Sequence, residues 1–253
     1  MRKIVLAGAV AALLTAGLGA QALAAGKPSP IAAAVADSSR AKADTDRDAN
    51  RKPVEVLTFA GVKRGDKVAD YMAGGGYFTH IFSGVVGPKG HVYAQEPAEI
   101  EKFDAKDIAA LKEWAKTHPN VTVGTGSAMA QTAFPEKLDL FWISQNYHDL
   151  KDSFMGPVDT AAFNKAVFKA LKPGGTYIVL DHVAQAGDAT APDKLHRIDP
   201  ALVRKEVEAA GFKFEGESKL LANPNDPHTA LVFDKSIRGH TDQFIYKFRK
   251  PRR

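Results

Sequence analysis

Two acids placed around a run of glycines carry the first recognisable chemistry in this chain. Asp70 closes a short β-type run, Met72-Ala73-Gly74-Gly75-Gly76 follows, and an amphipathic stretch begins at Tyr77. A second β-type run, His91-Val92-Tyr93-Ala94, leads to the second acid, Glu96. Strand, glycine turn, helix, strand, acid is the opening of a nucleotide-binding βαβ unit. Glycines let the backbone turn tightly and approach a ligand, because no Cβ intrudes. A pyrophosphate site would space its glycines G-x-G-x-x-G; here they are contiguous and preceded by a carboxylate, which repels phosphate and suits a cationic or amino-bearing ligand. Glu96 stands near the roughly 20-residue interval at which a ribose-binding acid is expected, and it can accept both ribose hydroxyls.

A second set of residues could move a proton. Asn146, His148 and Asp149 follow one apolar run, Asp181 and His182 follow another, and His196 lies in a polar stretch beyond them. Histidine is the usual general base because its unperturbed pKa lies near neutrality. His148 is the first choice, with Asp149 to orient it; His182 and His196 are the other candidate catalytic residues. The same side chains admit a metal reading, in which His148, Asp181, His182 and His196 offer nitrogen and oxygen donors for zinc, manganese or iron. No H-x-x-x-H or similar local spacing supports that reading, so no metal is assigned.

These residues need a sheet to gather them. Residues 53–60 read as a helix opened by Pro53 and stopped by Gly61, placed to close one side of a pocket. Residues 100–118 read as a helix with Phe103, Ile108, Leu111 and Trp114 inward. Residues 121–123 form a third strand, and residues 138–143 are the nearly continuous apolar run of a strand buried on both faces. A helix over 160–171 and a fifth strand over 176–180 follow. The polar stretch 185–197 is long for a loop and suggests a lid or binding loop. Asp199 and Pro200 open a further helix, stopped by Gly211. Residues 212–221, 231–233 and 244–248 are the closing β-type runs. The alternation predicts an α/β fold, a doubly wound and mostly parallel sheet with an antiparallel edge. Ligands of such sheets sit beyond the carboxyl ends of the strands, where strand order reverses.

Composition bounds the rest. With 253 residues, 45% apolar and 25% charged, the chain has the make-up of one globular α/β domain. Its net charge is +5, of which Arg2 and Lys3 contribute two, an excess too small to argue for nucleic acid. Residues 1–24 read as a secretory leader: a basic start, an apolar core and Ala22-Leu23-Ala24 before the cleavage point. The mature chain is therefore expected in a bacterial periplasm, free of the membrane. Cysteine is absent, which excludes a disulfide framework and thiolate chemistry. Residues 25–50 form a polar lead-in whose Arg40, Arg47, Arg51, Asp44 and Asp48 suit i,i+4 pairs on a solvated helix. Residues 51–253 form the main domain. Oligomeric state is not legible.

Asp70-Tyr71-Met72-Ala73-Gly74-Gly75-Gly76 resembles the first motif of class I S-adenosylmethionine (SAM)-dependent methyltransferases, D-x-G-x-G-x-G. The resemblance runs from about residue 47 to 251. Residues 139–142 resemble the family's fourth-strand motif, and residues 171–175 the turn before its fifth strand. More narrowly, Lys52-Pro53-Val54-Glu55-Val56-Leu57, residues 74–79, His196-Arg197-Ile198-Asp199 and residues 238–242 resemble exported bacterial methyltransferases. The resemblance implies a seven-stranded Rossmann-like sheet and SAM as cofactor. It implies a cofactor site at Asp70, Ala73, Gly74, Gly75, Gly76, Glu96, Ser127, Ala128 and Asn146, and a small-molecule methyl acceptor. Met72, where the family has glycine, and Ser127, where it often has an acid near the adenine, depart from the pattern and bear on cofactor affinity. SAM is made in the cytoplasm, away from which the leader directs the chain. A non-catalytic periplasmic binding module for a nucleoside or other small molecule is therefore the alternative.

Overall fold

The computed structural model describes residues 28–156 and 158–252; the expected leader lies outside them. Three short helices come first: α1 (Pro30–Val35), α2 (Lys42–Thr45) and α3 (Asp48–Arg51). Then follow α4 (Pro53–Ala60), β1 (Lys67–Tyr71), α5 (Tyr77–Val86), β2 (His91–Pro97), α6 (Ala98–Ala115), β3 (Val121–Gly126) and β4 (Leu138–Ser144). The chain continues through α7 (Thr160–Ala170), β5 (Leu171–His182), α8 (Ala191–Leu195), α9 (Pro200–Ala209), β6 (Lys213–Ser218) and β7 (Gln243–Arg249). The seven strands make one sheet in the order β3-β2-β1-β4-β5-β7-β6. Pairs among β1 to β5 are parallel, and β7 runs antiparallel to both β5 and β6. The expected fold class is borne out. Strand order reverses between β1 and β4, which sets the ligand crevice at their carboxyl ends.

Alternation along the strands divides the core into two layers. Val68, Leu140, Trp142 and Ile178 face one side and pack with Val56, Leu57, Phe78, Ile81 and Phe82 of α4 and α5. Ala69, Tyr71, Phe141, Ile143, Tyr177 and Val179 face the other and pack with Phe163 and Val167 of α7 and Val203 and Val207 of α9. Both faces are covered, so the central strands are mostly apolar, as parallel strands in such sheets are, with Asp70, Asp139 and Asp181 as exceptions. No helix among the described residues is long and apolar enough to cross a membrane.

Three sequence expectations need correction. The run Leu231-Val232-Phe233 is not a strand: it lies in the loop between β6 and β7, with Phe233 55% exposed. Phe103 does not point inward, for α6 leaves helical geometry at Asp104 (φ −115°, ψ 18°) and Phe103 is 62% exposed. The arginines of the lead-in do not lie on a solvated helix. Arg40 is buried against Asp48 (2.7 Å), and Arg47 and Arg51 sit over the ring of Tyr77 at 4.8 and 4.6 Å.

One buried ion pair holds the β6–β7 loop. Arg197 and Asp226 are both fully buried, 2.8 Å apart, and Arg197 also donates to the carbonyls of Ala230 and Val183. Asp226→Ala should lower stability by about 3–5 kcal/mol, since it strands a buried guanidinium; chemical denaturation measures it, and a loss under 1 kcal/mol would show that the loop relaxes around Arg197.

Candidate functional site

At the carboxyl ends of β1, β2, β4 and β5 lies a cavity of about 610 Å³, within the roughly 300–1,000 Å³ usual for small-molecule sites. Asp70, Met72, Ala73, Gly74, Gly75, Glu96, Asn146, His148, Asp149, His182 and His196 all line it. The topology thus brings together most of the residues singled out from the sequence. Gly76 is beneath the turn instead, where a Cβ would fall 2.5 Å from Leu111 Cδ1 and the turn could not rest on α6. Ser127 and Ala128, expected at the cofactor site, are not among the residues lining the cavity. Ser127 is exposed and caps its own turn at Ala130 N, while Ala128 is buried with its carbonyl bonded to Tyr71.

Met72 keeps the path of the turn although it is not a glycine. Its φ is +59°, in the left-handed region, which costs a side-chain-bearing residue about 1–2 kcal/mol. The turn after it brings the Gly74 N–H to Glu96 Oε1, to which it donates. The other oxygen of that carboxyl, Oε2, is buried and has no hydrogen-bond partner. A buried acceptor left unpaired is expensive, and Glu96 lines a cavity whose ligand can supply the missing donor. Burial pushes the Glu96 carboxyl up to about 8, with Asp70 adding to the effect. Asp70, also buried, accepts from Thr79 Oγ1 at 2.6 Å, and burial pushes it up to about 7.

Arg47 and Arg51 were not among the residues expected at the site, yet both line it. Arg51 donates to Gln145 Oε1 at 2.9 Å and stacks on Tyr77 and Phe78. Burial pushes its guanidinium down to about 10, which leaves it charged at neutral pH. The wall expected from α4 is thus supplied by α3, one turn earlier. The only sequence signal was the arginine spacing, which fits a solvated helix equally well.

Across the cavity, His148 is 2% exposed. Its Nδ1 meets Asp181 Oδ1 at 2.8 Å and its Nε2 lies 3.1 Å from Asp149 Oδ1. Burial opposes its charge, but Asp181 and Asp149 outweigh burial and push the imidazole up to about 10. In the absence of a bound ligand or ion, the two carboxylates thus favour the protonated ring, which weighs against the free general base expected at His148. Asp149 is buried, yet His148 beside it holds its carboxyl well below the usual range. Burial pushes His182 down to about 3, and its Nδ1 is engaged with Thr241 Oγ1 at 2.7 Å; it too is a poor base. His196 is partly exposed at the cavity edge, with φ +51° and its ring 5.1 Å from that of Phe233. Asn146 donates to Asp149 Oδ2 at 2.9 Å and so orients that carboxylate.

Solved structures share this architecture. A SAM-dependent methyltransferase from Aquifex aeolicus superimposes with a TM-score of 0.54 at 18% identity, covering 81% of this chain and 98% of that one. Fibrillarin of Aeropyrum pernix, solved with natively bound SAM, gives 0.51 at 16% identity over 80% and 76% of the two chains. The N-methyltransferase NodS of Bradyrhizobium japonicum gives 0.52 at 13% over 81% and 96%. The fold is that of the class I methyltransferases. In sequence, the chain is similar to a protein-L-isoaspartate O-methyltransferase of Ignicoccus hospitalis, 28% identical over 124 residues. That match takes in 49% of this chain and 51% of the relative, so the chain spans about half the relative's length. No family model matches the chain.

The two raised carboxyls have a consequence for stability. A carboxyl whose folded pKa exceeds its ordinary value near 4 favours the fold while protonated. That contribution is present below about pH 4 and is lost as pH rises through about 7 for Asp70 and 8 for Glu96. Asp70→Asn removes one such group, so the ligand-free variant should gain melting temperature relative to wild type as pH goes from 5 to 8.5. Parallel melting curves across that range would mean that Asp70 ionises without penalty.

Proposed function

We propose that the cavity binds SAM and that the protein transfers its methyl group to a small-molecule acceptor. The observation that carries this reading is the unpaired, buried Oε2 of Glu96 beside a turn of class I methyltransferase shape. The residues present fit the cofactor. Glu96 Oε2 has the position and the vacancy to accept from a ribose hydroxyl. Asp70 offers a carboxylate for the ammonium of the methionine end, and Arg51 offers a guanidinium for its carboxylate. The methyltransferase folds of the structural neighbours support the reading, as does the half-length similarity to the isoaspartate enzyme.

Bound SAM supplies a methyl carbon on a sulfonium: the acceptor's lone pair takes that carbon, the C–S pair leaves with sulfur as a thioether, and any acceptor proton must go elsewhere. For such an in-line displacement, holding donor and acceptor in register supplies much of the rate. The Glu96–Gly74 contact, Asp70 and Arg51 fix the donor's end of the cavity. Phe103, Phe154 and Phe233 add apolar surface to the cavity, suited to an acceptor with an apolar body. The binding-module alternative rests on the compartment to which the leader directs the chain; Met72 does not add to it, since that residue holds a glycine-like φ of +59°.

We further propose export through the leader, cleaved near Ala24; N-terminal sequencing of the protein from its host should begin there, and an intact Met1 in membranes would rule it out. For the site, Arg51→Gln should weaken SAM by about 10- to 100-fold, the scale of hydrogen bonds to charged groups. It should leave 5′-methylthioadenosine, which has no amino-acid end, within about threefold. Glu96→Gln should weaken both. Calorimetric titration gives all four constants, and equal losses on both ligands in Arg51→Gln would remove the arginine from the carboxylate role.

A further inference from the structure

His148, Asp149 and His196 converge in a way that methyl transfer alone does not require. His148 Nε2, Asp149 Oδ1 and His196 Nδ1 form a closed triangle with sides of 3.1, 3.4 and 3.2 Å. A first-row ion bound at about 2.0–2.1 Å holds tetrahedral donors about 3.3–3.4 Å apart and adjacent octahedral donors about 2.8–3.0 Å apart. The observed sides fall between those limits. A single proton can lie along only one edge of such a triangle, whereas an ion over its centre meets all three atoms.

The surroundings are those of a supported metal site. His148 Nδ1 is held by Asp181 Oδ1 at 2.8 Å, and Asp181 Oδ2 accepts from the His148 backbone N–H at 2.8 Å. This carboxylate–histidine arrangement fixes the ring so that Nε2 faces the triangle, and it raises the basicity of the ligand. Asp149 is fixed in turn by Asn146, which takes its Oδ2 and leaves Oδ1 inward. Asp152 Oδ2 lies 3.9 Å behind His196 Nε2. His196 is held at φ +51° as it leaves α8, a strained conformation of the sort that collects at functional sites.

We propose that His148, Asp149 and His196 bind one divalent first-row transition ion, and that its open positions face the cavity and take an oxygen-bearing methyl acceptor. Two imidazoles and one carboxylate suit zinc, manganese or ferrous iron, whereas magnesium and calcium prefer all-oxygen sets. Unlike the four-residue set weighed from the sequence, this one includes Asp149 and excludes Asp181 and His182. Asp181 is already bonded to His148, and His182 Nδ1 is bonded to Thr241. An ion here would also acidify an acceptor O–H bound to it, so that its proton can pass to water. The acceptor role rests on the methyl-transfer reading; ion binding does not.

The test uses the full chain with any affinity tag removed, first stripped by chelator and then titrated with Zn²⁺ in the absence of SAM. One equivalent should bind to wild type. Co²⁺ in its place should give the visible d–d bands of a coordinated site. His196→Ala, chosen because His196 is partly exposed and outside the core, should lose at least 100-fold in Zn²⁺ affinity while the metal-free melting temperature holds. Asn146→Ala, which frees the Asp149 carboxylate, should lose about 10- to 100-fold. Absence of stoichiometric Zn²⁺ binding, or full retention of it in both His196→Ala and Asp149→Asn, overturns the proposal. SAM affinity measured on the same samples keeps the two readings apart. Zn²⁺ without SAM sinks methyl transfer alone, and SAM without Zn²⁺ sinks the metal site alone.

Discussion

Two carboxyls buried at the ends of neighbouring strands are the constraint around which the rest of this protein is arranged. Asp70 and Glu96 are 3% and 0% exposed, and among the described residues neither forms an ion pair. A carboxyl in such a place is costly to ionise, and the fold gains nothing from keeping one hydrogen-bond acceptor unpaired. A sheet selected for stability alone would have apolar side chains there. That both acids persist at the point where strand order reverses, lining the cavity, is the pattern expected when stability is given up for binding.

The remainder of the architecture holds those acids in place and supplies their counterparts. Parallel pairing sets Asp70 opposite Ala94 on one side and Trp142 on the other, so the acid sits at the same level as the ends of its neighbours. The glycine turn passes close over α6 and returns its N–H to Glu96. The N-terminal lead-in then lays its arginines over Tyr77, whose hydroxyl donates to Asp48 at 2.6 Å. The same Asp48 receives Arg40, and Asp44 receives Arg47 and contacts His80. The lead-in is therefore docked by a polar network onto the first turn of α5, and docking is what carries Arg47 and Arg51 to the cavity wall.

What the sequence disclosed followed from local rules, and what it concealed depended on distant contacts. Buried parallel strands must be apolar on both faces, so residues 138–143 were legible as β4. The glycines and the acids Asp70 and Glu96 were legible because backbone sterics and carboxylate chemistry restrict what can stand there. Residues 231–233 satisfied strand composition, but strand formation also needs a partner edge, and β5 and β6 had already taken both sides of β7. Phe103 fitted the inward stripe of a regular helix, and a single non-helical residue, Asp104, turned it outward. Arg51 could not be told from a solvated arginine without knowing that Tyr77 lay beneath it. The histidines were each visible, yet the triangle of His148, Asp149 and His196 joins a turn after β4 to a residue that follows α8. No spacing along the chain encodes that closure.

The charge on the cavity wall gives a further reason why its two ends belong to one reaction. Asp70, Glu96, Asp104 and Asp149 line it against Arg47, Arg51 and His148. Asp149 is paired with His148 at 3.1 Å, which leaves the acids of the turn to face whatever enters beside them. On the methyl-transfer reading, the ligand arrives with a positive sulfur and departs with a neutral one. Attraction to ionised Asp70 and Glu96 is then stronger before the transfer than after it, and in a partly dry cavity that difference is larger than it would be in water. The same burial that makes these carboxyls reluctant to ionise when the cavity holds no cation thus favours exchange of spent for fresh cofactor. Replacing the acids by amides would remove that difference together with the strain, so a more stable protein and a slower exchange are two consequences of one change.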